Sequence, residues 1–142
     1  MAVSAFTKFE CFSEHLSEKV HNLDTDTLKI SASNTTPNVA TMTVKADFTE
    51  LGTSNGYTTG GTDTQNATSR TGGVTSITGV DVVWTGSGGS FGPFRYVYLW
   101  NDTPTSPADP LIGYWDYAAA ISVGDTEVFT TDFGASMFTV TS

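Results

Sequence analysis

The stretch Phe91–Asp102, FGPFRYVYLWND, is the densest hydrophobic run in the chain, and its reading decides the fold. With a period of two, Phe94, Tyr96, Tyr98 and Trp100 share one face of a strand, while Arg95, Val97 and Leu99 share the other. A half-exposed strand alternates apolar with polar side chains; this one carries rings on one face and mostly aliphatics on the other. The expectation is a central strand with the core on one side and a second layer, a ligand or a neighbouring subunit on the other. Gly92-Pro93 opens the strand. Asn101-Asp102 closes it, because the proline-rich NDTPTSPADP that follows cannot continue a sheet.

Short strands with turn signals between them lie on both sides. DTLKISAS sets Leu28, Ile30 and Ala32 against Thr27, Lys29 and Ser31, the pattern of a half-buried strand. NTTPN reads as a loop, TMTVKA as a short strand and ADFTEL as a single helical turn. VTSITGVDVVWTG places Val80, Val82 and Trp84 on one face. LIGYWDY places Leu111, Gly113, Trp115 and Tyr117 opposite Ile112, Tyr114 and Asp116. Gly124-Asp125 suits a tight turn, and TEVFTTDF and MFTVT finish the sheet. Residues 52–73 are polar and Thr/Gly-rich, either a long loop or an edge hairpin turning at Gly60-Gly61. Toward the N-terminus, Phe9, Phe12, Leu16 and Val20 recur at helical spacing, predicting a helix over about 6–22. Glu10, Glu14 and Glu18 form an acidic stripe beside them, either a solvated face or a docking face for a basic partner. The fold expected is therefore mainly all-β: one antiparallel β-sandwich or jelly-roll-like domain, residues 1–142, with one N-terminal helix.

Composition narrows the function. The chain has 142 residues, enough for a single core without disulfides or metal. Fifteen Asp and Glu against six Lys and Arg give a net charge of −9, which repels nucleic acid and anionic membranes and favours a basic partner. Charged residues make up only 15% of the chain, and 25 threonines fill much of the polar role. No run approaches a membrane span, and the N-terminus has no leader-like apolar run, so no membrane or secretory role is expected and the sequons at Asn34, Asn66 and Asn101 carry no glycan expectation. The lone Cys11 reads as a small core residue, in keeping with assembly in a reducing cytosol.

Catalytic patterns are missing. Cys11 and His15 lie four apart, but no third ligand follows at a zinc spacing, and His21 belongs to another face. Asp24-Thr25-Asp26 reads as a helix-to-strand turn rather than a calcium loop. There is no G-x-S-x-G, and TGSGGSFG lacks the ending of a phosphate loop. No catalytic, cofactor or metal residue is assigned, and the expectation is a protein that is not an enzyme. Binding remains. Trp84, Trp100, Trp115, Tyr96, Tyr98 and Tyr114 suit either a sugar platform, as in a carbohydrate-binding module, or a packed core.

The segments FTKFECF, KVHNL, DTLKI, ADFTEL, GYTTGGT, FGPFRYVYLWND and PLIGYWDY, in this order, resemble a family of small virion proteins of tailed bacteriophages. The resemblance covers most of the chain; its most specific pieces are GPFRY with YLWND, and LIGYWDY. It implies a non-enzymatic structural role, decoration or cementing of the outer capsid surface. It also implies the major capsid protein as partner, self-association as a dimer or trimer, and synthesis in the host cytoplasm. A tail, neck or head-fibre-base component is the rival within the virion. The family carries no residue-level interface across. From the residues themselves, the candidate partner surface comprises Glu10, Glu14, Glu18, Arg95, Tyr96, Tyr98 and Trp100. Arg95, the sole cation in the apolar strand, has Asp116 as a candidate ion partner within the fold or at an interface.

Overall fold

The structure is a computed structural model and describes residues 5–142. The leader expectation rests in part on residues 1–4, which lie outside the described residues. Ten strands and one short α-helix follow in order: β1 (Phe6–Lys8), α1 (Cys11–Ser17), β2 (Leu28–Ser33), β3 (Thr62–Asp63), β4 (Ala67–Thr71), β5 (Val74–Thr78), β6 (Val82–Thr85), β7 (Phe91–Asn101), β8 (Leu111–Val123), β9 (Val128–Thr131) and β10 (Phe138–Thr141). All pairings are antiparallel. A five-stranded sheet runs β1-β8-β7-β2-β3. The opposite layer is split into β10-β5-β4 and β6-β9. This is an all-β sandwich with one helix.

Its centre is β7, bonded to β2 on one side and β8 on the other. Val97 and Leu99, both fully buried, meet Ile30, Ala32, Ile112 and Trp115 on the face toward the second layer. That layer contributes Trp84 and Phe129, with Ile77 and Phe138 from the other small sheet. Rings meet edge to face, Phe94 against Phe129 at 5.1 Å and against Trp84 at 6.1 Å, a preferred arrangement for aromatic quadrupoles.

Two irregularities break the alternation read from the sequence. Between Phe94 and Tyr96 the β8 partner jumps from Ile121 to Asp116, so Tyr117 to Ala120 bulge out, with Ala118 at φ 68°. The strand turns about its axis there, and Phe94 joins the core side instead of sharing the ring face with Tyr96. Between Leu99 and Trp100 the partner moves from Gly113 to Leu111, leaving Ile112 as an extra residue. Leu111 consequently packs with the rings while Trp115 and Ile112 pack in the main core.

The helix is shorter than its apolar spacing predicts. Phe6–Lys8 pairs with Gly113–Trp115, and the N–H groups of Phe9 and Glu10 donate to Ile112 and Val39 carbonyls at 3.0 Å each. Backbone committed to a sheet edge cannot be helical, so α1 begins at Cys11. Phe9 and Phe12 accordingly enter different clusters. At the other end, Lys19 at φ 64° closes α1: its N–H donates to Leu16 O and that of Val20 donates to His15 O at 2.8 Å. These two bonds are those of a Schellman motif, with lysine in the place usually held by glycine.

Residues 52–73 resolve into β3, β4 and ordered turns rather than one loop or one hairpin. TMTVKA is not a strand. Val44 makes only a single bridge to Pro110, and a 3₁₀ turn follows at Lys45–Asp47. Gly124-Asp125 does lie in a tight turn, closed by Glu127 N–H to Gly124 O at 3.0 Å, but the turn passes the chain from β8 to β9 in the other layer.

Candidate functional site

The ring face of β7 is covered by the chain itself. Tyr96, Tyr98 and Trp100 pack under Phe9, Met42, Phe48 and Leu111, and are 6%, 0% and 2% exposed. Phe48 stacks on Tyr98 at 4.1 Å, and the Tyr98 hydroxyl donates to Thr35 O at 2.5 Å. Burial pushes the Tyr98 phenol up, so it stays protonated as a donor. Trp100 Nε1 donates to Ser31 Oγ at 2.9 Å. These three residues are therefore corrected from partner surface to internal packing. Segment 34–50 supplies the layer that would otherwise have to come from a ligand or a subunit. Trp84 and Trp115 are also buried, at 5% and 2%, so the tryptophans present no sugar platform.

A buried carboxylate fastens that cover. Glu50, its side chain 5% exposed, takes Lys45 Nζ at 2.8 Å and the Tyr57 hydroxyl at 2.7 Å. It also accepts the N–H groups of Gly60 and Gly61 at 3.0 and 3.2 Å. Tyr57 in turn accepts the N–H of Ala32 at 2.9 Å. Burial opposes ionisation of Glu50, but the hydrogen bonds from Lys45, Tyr57 and Gly60 outweigh it and hold the carboxyl below its ordinary value. Lys45 also lies 5.2 Å from the Trp100 ring. One residue thus ties the cover (Lys45), the central sheet (Ala32, through Tyr57) and the Gly60-Gly61 turn. Composition and spacing single out neither Glu50 nor Tyr57, although they lie only seven residues apart, because an irregular segment has no period to place them.

A second polar cluster lies between α1 and the end of β7. Asn101 Nδ2 donates to Asp26 Oδ2 at 2.7 Å and faces His21 Nδ1 at 3.0 Å, while Asn101 Oδ1 accepts from Thr103 N–H at 3.1 Å. The amide orientation set by Asp26 and Thr103 makes His21 Nδ1 an acceptor, so the neutral ring carries its proton on Nε2. Burial, and then neighbouring His15, lower the His21 pKa to about 4 against an opposing pull from Asp26. His15 Nδ1 and His21 Nε2 are buried without a hydrogen-bond partner among the described residues. Cys11 does not join His15. Its Sγ lies 3.9 Å from each of the carbonyls of Met42, Thr43 and Leu111.

The exposed surface carries more acid than base. Glu10, Glu14 and Glu18 are exposed around α1, Glu10 and Glu18 flanking it, and none forms an ion pair with a described residue. Arg95 pairs with Asp116 in a two-pronged contact, Nε to Oδ1 at 2.8 Å and Nη2 to Oδ2 at 3.1 Å, with both side chains about 40% exposed (40% and 38%). This is a surface clamp at the β8 bulge, where the Ala118 N–H also donates to Asp116. The outer face of β6-β9 carries Val83 and Val128, 54% and 58% exposed, with Thr85 and Thr130 between them, and Val80 precedes it at 56%. Sequence reading placed Val80 with Val82 and Trp84. The strand starts at Val82, however, and only Val82 and Trp84 face inward. The signal available for this face was the VVW triplet, in which one valine has to point away from the core.

Among the described residues, no three His, Cys, Asp or Glu are grouped to hold a metal ion, and no helix is long and apolar enough to cross a membrane. No family model, curated protein or solved structure matches the chain.

Proposed function

We propose that the chain is a virion structural protein of a tailed bacteriophage that decorates and cements the capsid from outside by binding the major capsid protein. The observation that carries the reading is the exposed Val80, Val83 and Val128 surface. Among the described residues the only other exposed large aliphatic is Val74, at 37%, whereas these three are more than half exposed on or beside the outer Thr/Val face of β6-β9, as in a surface that is covered on assembly. The resemblance of GPFRY, YLWND and LIGYWDY supplies the choice of partner. The acidic surroundings of α1 suit a basic capsid exterior and steer encounter by charge. No ligand chemistry is required of the protein; its work is to add contact area across capsomer seams.

Heads prepared without the protein test this directly. They are expected to lose resistance to heat and osmotic shock and to regain it when purified protein is added. The Val83→Asp/Val128→Asp variant, folded to the same thermal midpoint, is expected neither to bind nor to protect. Heads of normal resistance that lack tails would instead place the protein in the neck or tail and overturn the reading.

A further inference from the structure

The β4 edge of the sandwich has no strand beside it. β4 is the outer strand of β10-β5-β4 and reads Ala-Thr-Ser-Arg-Thr, with no proline. It joins β5 through Gly72-Gly73, with Gly72 at φ 60°. A two-residue connection makes Thr71 and Val74 a hydrogen-bonded pair, and alternation does the same for Ser69–Ser76 and Ala67–Thr78. The N–H and C=O groups of Thr68 and Arg70 therefore point away from β5. Natural edges are usually blunted by bulges, proline or inward charges; β4 has neither bulge nor proline, and its one charge, Arg70, lies on the inward face with Thr68, where a carboxylate from a second chain can neutralise it.

We infer that β4 pairs antiparallel with β4 of a second copy about a two-fold axis at Ser69, joining two three-stranded sheets into one of six strands. Ser69 is the midpoint of the strand, so this register sets Thr68 opposite Arg70 of the second copy and Ala67 opposite Thr71. The outward groups of Thr68 and Arg70 then meet each other, and each such pair exchanges two N–H···O bonds. Charge selects the same register. Thr68 and Arg70 share a face, and Thr68 Oγ1 donates to Asp24 Oδ1 at 2.8 Å, so Arg70 of the second copy arrives beside Asp24. Next to Thr68 lies an open groove of about 380 Å³ lined by Asp24, Asp26, His21 and Lys19, among others, with one more carboxylate than ammonium to receive it. Arg70 is exposed and donates only to the carbonyl of its own turn, Gly72 O, at 2.8 Å; it has no carboxylate partner among the described residues. Two-fold symmetry makes the Arg70–Asp24 contact twice. A register centred on Arg70 sets two guanidiniums directly opposite and is disfavoured. The pairing does not depend on the capsid reading.

Sedimentation at low ionic strength, where the ion pairs are least screened, reads the result. The wild type is expected at twice the 15.1 kDa chain mass. Arg70→Asp and Asp24→Arg are each expected to run as monomers, because like charges then face each other at both contacts. Mixed in equal amounts, the two variants are expected to form a dimer, since each supplies the charge that the other now needs. The Arg70→Asp/Asp24→Arg double variant is expected to dimerise with itself. Circular dichroism and melting of the single variants, matching wild type, assign the loss to the interface. A monomeric wild type, a trimer, single variants that still dimerise, or a mixture that stays monomeric would overturn the inference.

Discussion

Replacing Glu50 by alanine removes the acceptor shared by Lys45, Tyr57, Gly60 and Gly61. The four donors do not suffer equally. Gly60 is exposed and can turn to water, and Lys45, with its side chain 22% exposed, recovers part of its hydration. Tyr57, 1% exposed, cannot, and its hydroxyl becomes an orphan costing about 1–3 kcal/mol. Adding the lost charge-assisted bond to Lys45 gives a total of about 3 kcal/mol, within the range for breaking a largely buried pair. For a chain of this size that is a fall of about 10 °C in midpoint. Urea unfolding followed by tryptophan fluorescence measures it, and hydrogen exchange locates it: amides of segment 34–61 are expected to lose protection before those of β7. The Tyr57→Phe background supplies the control, because without the hydroxyl the alanine change has no orphan to create and its cost drops by at least about 1 kcal/mol. The folded-state carboxyl lies below its ordinary value, so its contribution is present above the usual carboxylate range and is lost as pH falls through the lower, folded value. Wild type and variant therefore converge in acid. A cost below about 1 kcal/mol, or strict additivity with Tyr57→Phe, would refute the assignment of Glu50 as the fastening point.

Two further changes test other parts of the fold. His21 takes up a proton near 6.5 when unfolded but resists to about 4 when folded, so stability falls as pH drops between those values and levels off below. At about 1.4 kcal/mol per pH unit the loss reaches roughly 3 kcal/mol; urea midpoints at intervals across this range measure it, and His21→Gln is expected to flatten this limb, so parallel curves would contradict the histidine's role. Gly113→Ala drives a methyl group into Phe6 and the Thr7 carbonyl and is expected to cost about 2 kcal/mol, with β1 released first, as amide exchange of Thr7 and Lys8 would report.

The central strand was legible because its signal is local: apolar residues on both faces of FGPFRYVYLWND require two covers, and the structure provides both. Legibility stopped where register changed. Periodicity counts residues along one strand, but the bulges opposite Phe94 and Leu99 arise from how β8 matches β7, and they moved Phe94 and Leu111 across the sheet. The N-terminal helix was overextended for a related reason: Phe9 obeys the helical spacing, yet its N–H belongs to Ile112, more than a hundred residues away. Arg95 with Asp116 could be matched because two charges stood among apolar neighbours in adjacent strands. Glu50 with Tyr57 could not, although only seven residues separate them, since the turns between them are irregular and offer no period from which to read which side chains face inward.

The distance along the chain between paired strands of the central sheet has a consequence during synthesis. Phe6 pairs with Trp115, and Leu28 with Asn101. At about 5–20 residues per second, the first strands leave the ribosome roughly 5–20 s before their partners exist. β4 and β5 can zip together first; within the five-stranded sheet β7 and β8 have the shortest connection, residues 102–110, and β1 must then add to strands already paired. Until that moment the emerging chain carries Phe6, Phe9, Phe12, Leu28 and Ile30 uncovered. A premature stop before β8 is complete leaves a polypeptide with no central sheet to join, a natural substrate for chaperones and proteases rather than for a shorter version of the fold.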